Sequence, residues 1–377
     1  MTQRRKILAI FGTRPEVIKM GPVVEALRAD GAFTVVTLAT AQHREMLDDM
    51  LRVFGIVPDH DLDIMTPDQR VVDVTAQCLL GIDAVLRQEK PDLALVQGDT
   101  TTVLAAALAC HYNRIPVGHV EAGLRTADKY APFPEEMNRR VAGALADLHF
   151  APTAQARENL RREGVPEAAI LITGNTVVDA VLHIAAKPPD PNDAVLQRIA
   201  RFADGVGRLL LVTAHRRESF GAPLRGVCQA LLRILETHPD AGLVFPVHPN
   251  PNVRHTVHEL LGAQSRVLLL EPLDYLQFVQ VMRRATLILT DSGGVQEEAP
   301  SLGKPVLVLR DKTERPEGIQ AGVALLVGTD PERIVAEATR LLAAPPGADE
   351  RLRRQNPYGD GHAAPRIVQA IRAHLGL

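Results

Sequence analysis

Short aliphatic runs alternate with amphipathic segments along the chain, and this alternation is the strongest pattern in the sequence. In the first half, the apolar runs KILAIF, FTVVTLAT, DLALVQG and IPVGHVEAG are separated by segments with helical periodicity. Buried strands connected by helices are typical of a parallel sheet that is covered by helices on its faces. The pattern therefore predicts an α/β fold built on parallel sheets.

A second series of the same kind follows, with the runs RLLLVTAH, GLVFPVH, RVLLLE, TLILTDSGG, KPVLVLR and VALLVG. The length of 377 residues exceeds the size at which one core normally keeps growing, so two domains are expected. We predict Rossmann-like domains over residues 1–172 and 173–361, with the proline-rich stretch 187–193, KPPDPND, as a surface connection. A final helix lies within residues 362–377, and periodicity alone leaves open which domain it packs on.

The composition narrows the class of protein. The chain has 42 basic and 45 acidic residues, a net charge of −3, which provides no global field to attract nucleic acid or an anionic membrane. Cys78, Cys110 and Cys228 lie far apart without CxxC spacing, which favours reduced core residues of a cytoplasmic protein. The apolar run after Arg5 is too short for a secretory signal, and no segment approaches the roughly 18 uncharged residues of a membrane span.

The segment 287–304, LILTDSGGVQEEAPSLGK, predicts an anion-binding turn. An apolar strand leads into Ser292, Gly293 and Gly294, where the missing side chains let a ligand approach the backbone, and a helix with unpaired N–H groups follows. Glu298 comes about one helical turn later and could accept hydroxyl donors of a sugar. An ordinary strand-to-helix turn capped by Ser292 is the structural alternative.

Polar residues also follow the strands of the first half, where the functional crevice of an open parallel sheet lies. Arg14 and Lys19 follow the first strand, Asp99 follows DLALVQG, Glu121 follows IPVGHV, and Glu135 lies in the loop PFPEEMNR. Taken singly, Arg14 could be a surface charge, Asp99 a helix cap and Glu135 a first-turn carboxylate. Glu121 gains little from capping, and the absence of GxGxxG argues against a nicotinamide cofactor.

The second half contributes positively charged and titratable groups at strand ends. These are His215, Arg216 and Arg217 after LLLVTA, His248 after LVFPV, and Arg315 in RDKTERPE. In a chain without net positive charge, such groups suggest local compensation of a diphosphate, although any single histidine is more often structural. The sequence has no HExxH or DxD pattern and no ligand-like histidine spacing, so neither a metal nor another cofactor is expected.

Carboxylates in one half and positively charged groups in the other suit a nucleotide diphosphate sugar that undergoes proton transfer. The proton on carbon 2 of such a sugar is not acidic while the ring is intact. Departure of the diphosphate gives carbon 1 oxocarbenium character, which acidifies that proton and lets a carboxylate remove it. Return of the proton on the other face requires a second acid/base group, so more than one carboxylate is expected.

Several segments together resemble one known family. The segments are FGTRPEVIKM, TAQHREM, GDTTT, GHVEAGLRT, PFPEEMNR, ITGNTVVDA, TAHRRESFG, TDSGGVQEEAPSLGKPVLVLRDKTERPE and NPYGDG. They are similar, in order and over nearly the whole chain, to the bacterial non-hydrolysing UDP-N-acetylglucosamine 2-epimerases. The resemblance implies a glycosyltransferase-B arrangement, in which two parallel sheets face a central cleft and the terminal helix packs on the first domain. It also implies a homodimer without nicotinamide or an obligatory metal.

That resemblance implies roles for individual residues. The implied activity interconverts UDP-N-acetylglucosamine and UDP-N-acetylmannosamine by eliminating UDP to 2-acetamidoglucal and adding it back, supplying N-acetylmannosamine for cell-surface polysaccharide. The implied catalytic residues are Asp99, Glu121, Glu135 and His215. The implied substrate-binding residues are Arg14, Lys19, His215, Phe278, Ser292, Gly293, Gly294, Glu298 and Arg315. Leu273 departs from relatives that have glutamine there, so that contact is not carried over.

The resemblance further implies a regulatory site for a second UDP-N-acetylglucosamine molecule. Its residues are Gln42, His43, Arg216 and His248, together with Glu135, and the loop alignment at Arg70 is not decided. Three other functions stay open at this point. A glycosyltransferase of the same architecture would need an acceptor, a hydrolysing epimerase would release free N-acetylmannosamine, and a sensor would bind UDP without turnover.

Overall fold

The computed structural model describes residues 4–40, 44–66, 68–126, 128–216, 220–343 and 356–377. The chain forms two compact units, one of residues 1–180 with 361–377 and the other of residues 181–360. Each unit has one sheet whose strands are all parallel, and helices connect the strands. The α/β class with parallel sheets, predicted from the apolar runs, is confirmed.

The first unit contains a sheet of seven strands. They are β1 (Arg5–Phe11), β2 (Phe33–Ala39), β3 (His60–Asp61), β4 (Leu93–Gln97), β5 (Val117–Val120), β6 (Leu148–Ala151) and β7 (Ile170–Ile172). Their order across the sheet is β3-β2-β1-β4-β5-β6-β7. The apolar pattern does not predict β3, because its two residues are polar and pair only with the end of β2.

Helices connect these strands and bury the sheet. They are α1 (Arg14–Ala29), α2 (Arg44–Val53), α3 (Val71–Glu89), α4 (Thr101–Asn113), α5 (Glu135–Leu145) and α6 (Ala154–Arg162), followed by α7 (Thr176–Ala186). One core joins the sheet to α3 and α4 and includes Leu8, Ile82, Val96 and Val103, all fully buried. Aliphatic side chains that fill such a layer favour the predicted strands and helices by removing apolar surface from water.

The second unit contains a sheet of six strands. They are β8 (Arg208–Thr213), β9 (Ala241–Pro246), β10 (Val267–Leu270), β11 (Leu287–Thr290), β12 (Val306–Val308) and β13 (Ala324–Leu326). The order is β10-β9-β8-β11-β12-β13. The helices are α8 (Ala194–Asp204), α9 (Ala222–Thr237), α10 (Pro251–Leu261), α11 (Tyr275–Arg284), α12 (Gly293–Glu298), α13 (Pro316–Gln320) and α14 (Pro331–Leu342).

The boundary between the units lies inside α7, eight residues beyond the predicted position after Ile172. Hydrogen bonds explain the difference. Near the start of α7, the buried Asp179 carboxylate accepts N–H groups of Ala363 and Ala364 at 3.2 and 2.9 Å, which ties it to the first unit. At the other end, the carbonyl of Ala185 accepts from Arg283 of α11 at 2.7 Å, which ties it to the second unit.

The terminal helix α15 (Ala363–His374) belongs to the first unit, where it packs against α1. Arg372 donates to the Asp30 carboxylate at 2.8 and 3.0 Å, so an ion pair secures the end of α15. The three cysteines are free and buried. Within the described ranges, none of the helices combines the length and the apolar character that a membrane span requires.

Candidate active site

The strand order places a switch point in each unit. Successive connections leave β1 and β4 in opposite directions along the first sheet, and they do the same at β8 and β11 in the second. In open parallel sheets, ligands bind beyond the carboxyl ends of the strands at such a point. Arg14 and Asp99 follow β1 and β4, and His215 and Ser292 follow β8 and β11, so predicted site residues flank both switch points.

The turn after β1 is held by hydrogen bonds to the buried carboxylate of Glu16. Glu16, only 1% exposed, accepts the N–H of Gly12 at 3.0 Å and the hydroxyls of Thr13 at 2.7 Å and Thr100 at 2.8 Å. Burial raises the pKa of Glu16 to about 7, although these donors favour its charged form. These hydrogen bonds therefore fix the turn that leads into α1, whose first residue is Arg14.

The turn after β4 presents Asp99, which is partly accessible to solvent and lies 2.6 Å from a guanidinium nitrogen of Arg139. The Asp99 carbonyl accepts from Asn138 at 3.0 Å, and the preceding Gly98 carbonyl accepts from Nε2 of His119 at 2.7 Å. Burial lowers the pKa of His119 to about 4, so its ring is neutral. For Asp99, burial raises the pKa and Arg139 opposes the rise, which leaves a carboxyl able to hold a proton more readily than usual.

Glu121 lies at the end of β5 in the left-handed region of backbone conformation, with φ of 61°. This conformation is uncommon for a residue with a side chain and marks functional positions more often than chance. The buried carboxylate contacts Lys19 of α1 at 2.5 Å, accepts from Asn175 at 3.1 Å and also accepts from Gln97. The strained backbone is therefore held by partners from β4, α1 and the turn before α7.

Glu135 is half-buried and begins α5 directly after Pro134. It lines a pocket of about 410 Å³ whose wall also includes Thr13, Thr100 and Asn138. The same pocket wall thus joins the turns after β1 and β4 with the start of α5. The first unit provides three carboxylates, Asp99, Glu121 and Glu135, and two cations, Lys19 and Arg139, that make close contacts to two of them. Carboxylates arranged in this way are of the kind that act as general acids and bases.

In the second unit, the fully buried Asp291 joins the turns after β8 and β11. Its Oδ2 atom accepts the backbone N–H groups of His215 at 2.7 Å and Arg216 at 2.8 Å, and its Oδ1 atom lies 2.8 Å from Nδ1 of His215. Burial acts to raise the pKa of Asp291, but the His215 ring and the two N–H groups outweigh it and hold the pKa below its usual range. A carboxylate at this position therefore fixes both the backbone and the ring of His215.

The Ser292-Gly293-Gly294 turn leads from β11 into α12. A Cβ atom added at Gly293 would meet no atom within 4 Å, and one added at Gly294 would meet its nearest atoms only at 4.0 Å. Internal packing therefore does not require glycine at these positions. The open space gives a ligand access to backbone N–H groups at the start of a helix.

The remaining predicted binding residues lie in the same unit. The buried Glu298 accepts the hydroxyl of Tyr275 at 3.1 Å, and Phe278, on the same helix as Tyr275, is half-buried. Arg315, at the start of α13, forms an ion pair with the buried Glu297. A carboxylate, an aromatic ring and a guanidinium are thus available on or beside α11, α12 and α13.

The predicted regulatory residues are only partly described. Gln42 and His43 lie outside the described residues. Arg216 and His248 both neighbour His215, since Arg216 is adjacent in sequence and the His248 ring stacks on the His215 ring with centroids 6.1 Å apart. Arg70, the residue before α3, is largely exposed and pairs with Asp73 of that helix at 2.8 Å.

The sequence did not assign roles to Glu16, Arg139 or Asp291, although Arg139 and Asp291 contact predicted site residues and Glu16 bonds the turns beside two of them. Arg139 lies in the quoted loop PFPEEMNR, and Asp291 begins the quoted turn DSGG. The position of Asp291 between an apolar strand and a glycine-rich turn could have indicated its role from the sequence. Nothing local distinguishes Glu16 from an ordinary first-turn carboxylate, because its partners come from two separate turns.

The sequence profile of the UDP-N-acetylglucosamine 2-epimerase family matches residues 25–372. The chain belongs to the UDP-N-acetylglucosamine 2-epimerase family. It is 54% identical to the UDP-N-acetylglucosamine 2-epimerase of Yersinia pestis over 372 residues, which cover 98% of this chain and 99% of that protein. It is 53% identical to the Escherichia coli K12 enzyme of the same name over 370 residues, or 97% and 98% of the two chains.

A solved structure of the family is also closely similar. The UDP-GlcNAc 2-epimerase of Neisseria meningitidis, bound to UDP-GlcNAc, superposes with a TM-score of 0.90 at 43% identity, covering 98% of this chain and 100% of that one. The family resemblance inferred from the quoted segments is therefore confirmed. The individual site residues are not tested by these comparisons and stay predictions.

The close packing around Gly12 allows a test of the site in the first unit. A Cβ atom at Gly12 would lie 2.3 Å from the Thr40 hydroxyl and 2.4 Å from the Thr102 hydroxyl, which bond each other at 2.8 Å. We expect Gly12→Ala to lower the free energy of unfolding by about 1–3 kcal/mol and to reduce turnover, because the turn must move. Chemical denaturation and a turnover assay measure these effects.

Gly31→Ala is the matched control, since a Cβ atom there meets nothing within 4 Å and the residue lacks a positive φ. Its stability should stay within about 0.5 kcal/mol of wild type. Equal effects of the two substitutions would show that the close approach at Gly12 is unimportant.

Proposed function

We propose that this chain catalyses the reversible epimerisation of UDP-N-acetylglucosamine to UDP-N-acetylmannosamine at carbon 2. The observation that carries the proposal is the pair of carboxylates, Asp99 and Glu121, that follow neighbouring strands and each contact a cation. A transferase needs no such paired acid/base set, whereas reversal of a stereocentre needs a group to remove a proton and a group to return it. Membership of the epimerase family supports the same activity.

The reaction begins with departure of UDP from carbon 1. As the bond to the diphosphate breaks, carbon 1 gains oxocarbenium character, and a carboxylate of the set Asp99, Glu121 and Glu135 removes the acidified proton from carbon 2. The product of this elimination is 2-acetamidoglucal. Re-addition of UDP, with protonation of carbon 2 on the opposite face by a second member of the set, yields the epimer. Burial raises the pKa of Asp99, which makes it a stronger proton acceptor than an ordinary aspartate and suits it to this exchange.

The leaving diphosphate requires fixed donors and positive charge. We assign this role to the N–H groups of Gly293 and Gly294, with Ser292, His215 and Arg315 contributing further hydrogen bonds. Groups that are already oriented before the bond breaks stabilise developing charge without a reorganisation cost. In this proposal, Arg14 and Lys19 add positive charge from the first unit, while Phe278 and Glu298 hold the uridine.

The biological setting follows from the product. We propose that the N-acetylmannosamine nucleotide supplies a polymer of the cell surface and that the reaction takes place in the cytoplasm, where nucleotide sugars are consumed. The two compact units would correspond to the two Rossmann-like domains of the family. UDP, UDP-N-acetylglucosamine and UDP-N-acetylmannosamine are the proposed small-molecule partners.

Incubation with UDP-N-acetylglucosamine alone in deuterated water tests the reaction. We expect deuterium at carbon 2 of both epimers, detected by mass spectrometry and proton resonance. Asp99→Asn should lower the exchange rate by about 10²–10⁴-fold while UDP affinity stays within about threefold, because the amide cannot transfer the proton. Asp190→Asn, a loop carboxylate that accepts only the N–H of Asn192 at 2.8 Å among its described contacts, is the control and should exchange normally.

Other outcomes distinguish the alternatives. Exchange that occurs only with an added acceptor would favour a glycosyltransferase, and release of free N-acetylmannosamine would favour a hydrolysing epimerase. UDP binding without any chemistry would identify a sensor. An Asp99→Asn rate near that of wild type would remove Asp99 from the acid/base set.

We also propose that a second UDP-N-acetylglucosamine molecule activates the reverse reaction through Gln42, His43, Arg216, His248 and Glu135. The stacking of His248 on His215 supports this assignment, because a ligand that contacts His248 could alter the orientation of His215. Coupling between the two ligands would then pass through a direct ring contact.

Kinetics from the mannosamine side test the regulation. We expect added UDP-N-acetylglucosamine to accelerate the reverse reaction, and we expect His248→Ala to reduce that acceleration at least about fivefold because the ring contact is lost. His255→Ala, which replaces an exposed histidine on α10, should keep it. Non-cooperative kinetics that do not respond to UDP-N-acetylglucosamine would exclude a regulatory site.

A homodimer is the proposed assembly, and an apolar surface of α3 and α4 supports it. Val72 and Leu80, eight residues apart and therefore on one face of α3, are 61% and 72% exposed, and Tyr112 at the end of α4 is 69% exposed. The two helices pack against each other. Large apolar side chains grouped on one face are typical of a protein interface, and a second copy of the chain would bury them.

Light scattering coupled to size exclusion tests the dimer. We expect a mass of about twice the 41.0 kDa of one chain, and we expect Leu80→Glu to shift it toward one chain because a charge would be buried in the interface. Val57→Glu is the control, since Val57 is 81% exposed outside this surface. A wild-type mass of one chain, or a Leu80→Glu mass unchanged from a dimeric wild type, would contradict the proposed interface.

A further inference from the structure

Glu16 is a buried carboxylate that the proposed mechanism does not use. Three of its hydrogen-bond donors are the N–H of Gly12 and the hydroxyls of Thr13 and Thr100, and all three are neutral. Burying an ionisable group among neutral partners costs free energy. Contacts of this kind are therefore expected where they fix a part of the structure that the protein needs. What these contacts fix can be identified from the position of each donor.

The donors come from the two turns that flank the first switch point. Gly12 and Thr13 immediately precede Arg14, and Thr100 immediately follows Asp99. One oxygen of Glu16 accepts both donors of the first turn, and the other oxygen accepts the donor of the second. The carboxylate therefore links the backbone beside the proposed binding cation to the backbone beside the proposed acid/base group.

The geometry points to Glu16 as a positioning residue for this reaction, holding Arg14 and Asp99 in the relative placement that proton transfer requires. This inference rests on the proposed epimerase function. A misplacement of about 1 Å in a catalytic group can cost on the order of 100-fold in rate, so a link of this kind affects turnover even without substrate contact.

Charged and titratable groups lie near Glu16 or near its hydrogen-bond donors. Arg14 and Lys19 lie on its own helix α1, Asp99 is adjacent to Thr100, Glu135 lines a pocket with Thr13 and Thr100, and the buried Cys78 thiol on α3 interacts electrostatically with Glu16. Ionised Glu16 can accept from all three donors, whereas the protonated group must use one oxygen as a donor. We therefore expect the link to be complete in the ionised form.

The experiment compares Glu16→Ala and Glu16→Gln with wild type and with Glu25→Gln on the same helix. We expect Glu16→Ala to lower kcat about 10–100-fold and to change the Kd for UDP less than about threefold, because the proposed hydrogen bonds to the diphosphate come from the second unit and Arg14 keeps its charge. We expect wild-type kcat to rise with pH around the Glu16 pKa of about 7, where the ionised form completes the link, and we expect Glu16→Gln, which cannot ionise, to lack that rise. Glu25→Gln should retain both the rate and the profile.

A second pair of variants keeps the inference testable if Glu16→Ala does not fold. Thr13 precedes α1 without a side-chain cap bond, so Thr13→Val removes one Glu16 contact and leaves the helix start unchanged. We expect Thr13→Val to lower kcat and Thr13→Ser, which retains the hydroxyl, to restore it. A purely structural role would change stability alone and leave kcat per folded molecule, and its pH profile, as in wild type.

The two proposals fail in different ways. Wild-type protein that does not exchange the proton on carbon 2 would contradict the epimerase function. Wild-type protein that exchanges normally, together with Glu16 and Thr13 variants of unchanged kcat and pH profile, would overturn only the positioning role.

Discussion

A buried carboxylate lies at the switch point of each unit and accepts hydrogen bonds from a neighbouring turn. Glu16 takes donors from the turns after β1 and β4, and Asp291 takes the backbone N–H groups of His215 and Arg216 while it lies beside the start of α12. A buried donor left without an acceptor costs about 1–3 kcal/mol, so these turns are strongly restricted to the arrangement that satisfies them. These two constraints fix the turns beside Arg14, Asp99, His215 and Ser292.

The two carboxylates differ in what surrounds them, and the difference matches the two tasks of the proposed reaction. Glu16 has neutral partners and a pKa raised to about 7, and it accepts from Thr100 beside Asp99, one of the proposed proton-transferring carboxylates. Asp291 contacts His215 and has a lowered pKa, so it stays charged and orients a ring and two N–H groups. In the proposed reaction, the first unit therefore provides the acid/base groups and the second presents donors to the diphosphate.

Much of this arrangement could be predicted from the sequence, because apolar runs identify strands and the residues that follow them identify the crevice. Asp99, Glu121 and Gly293 were predicted in this way, and the structure places them just after β4, β5 and β11. The two-residue strand His60–Asp61 was missed because it has no apolar run. Glu16 and Asp291 were missed because a bridging carboxylate is recognised by partners that are distant in sequence, and the unit boundary shifted because hydrogen bonds at both ends of α7 decide it.

A crystal structure of the protein with UDP tests the central claim most directly. The account predicts diphosphate oxygens within hydrogen-bonding distance of the N–H groups of Gly293 and Gly294. It also predicts that the Asp291 carboxylate still accepts from His215 and Arg216. A diphosphate bound away from the turn that follows β11, or an Asp291 carboxylate released from those N–H groups, would contradict it.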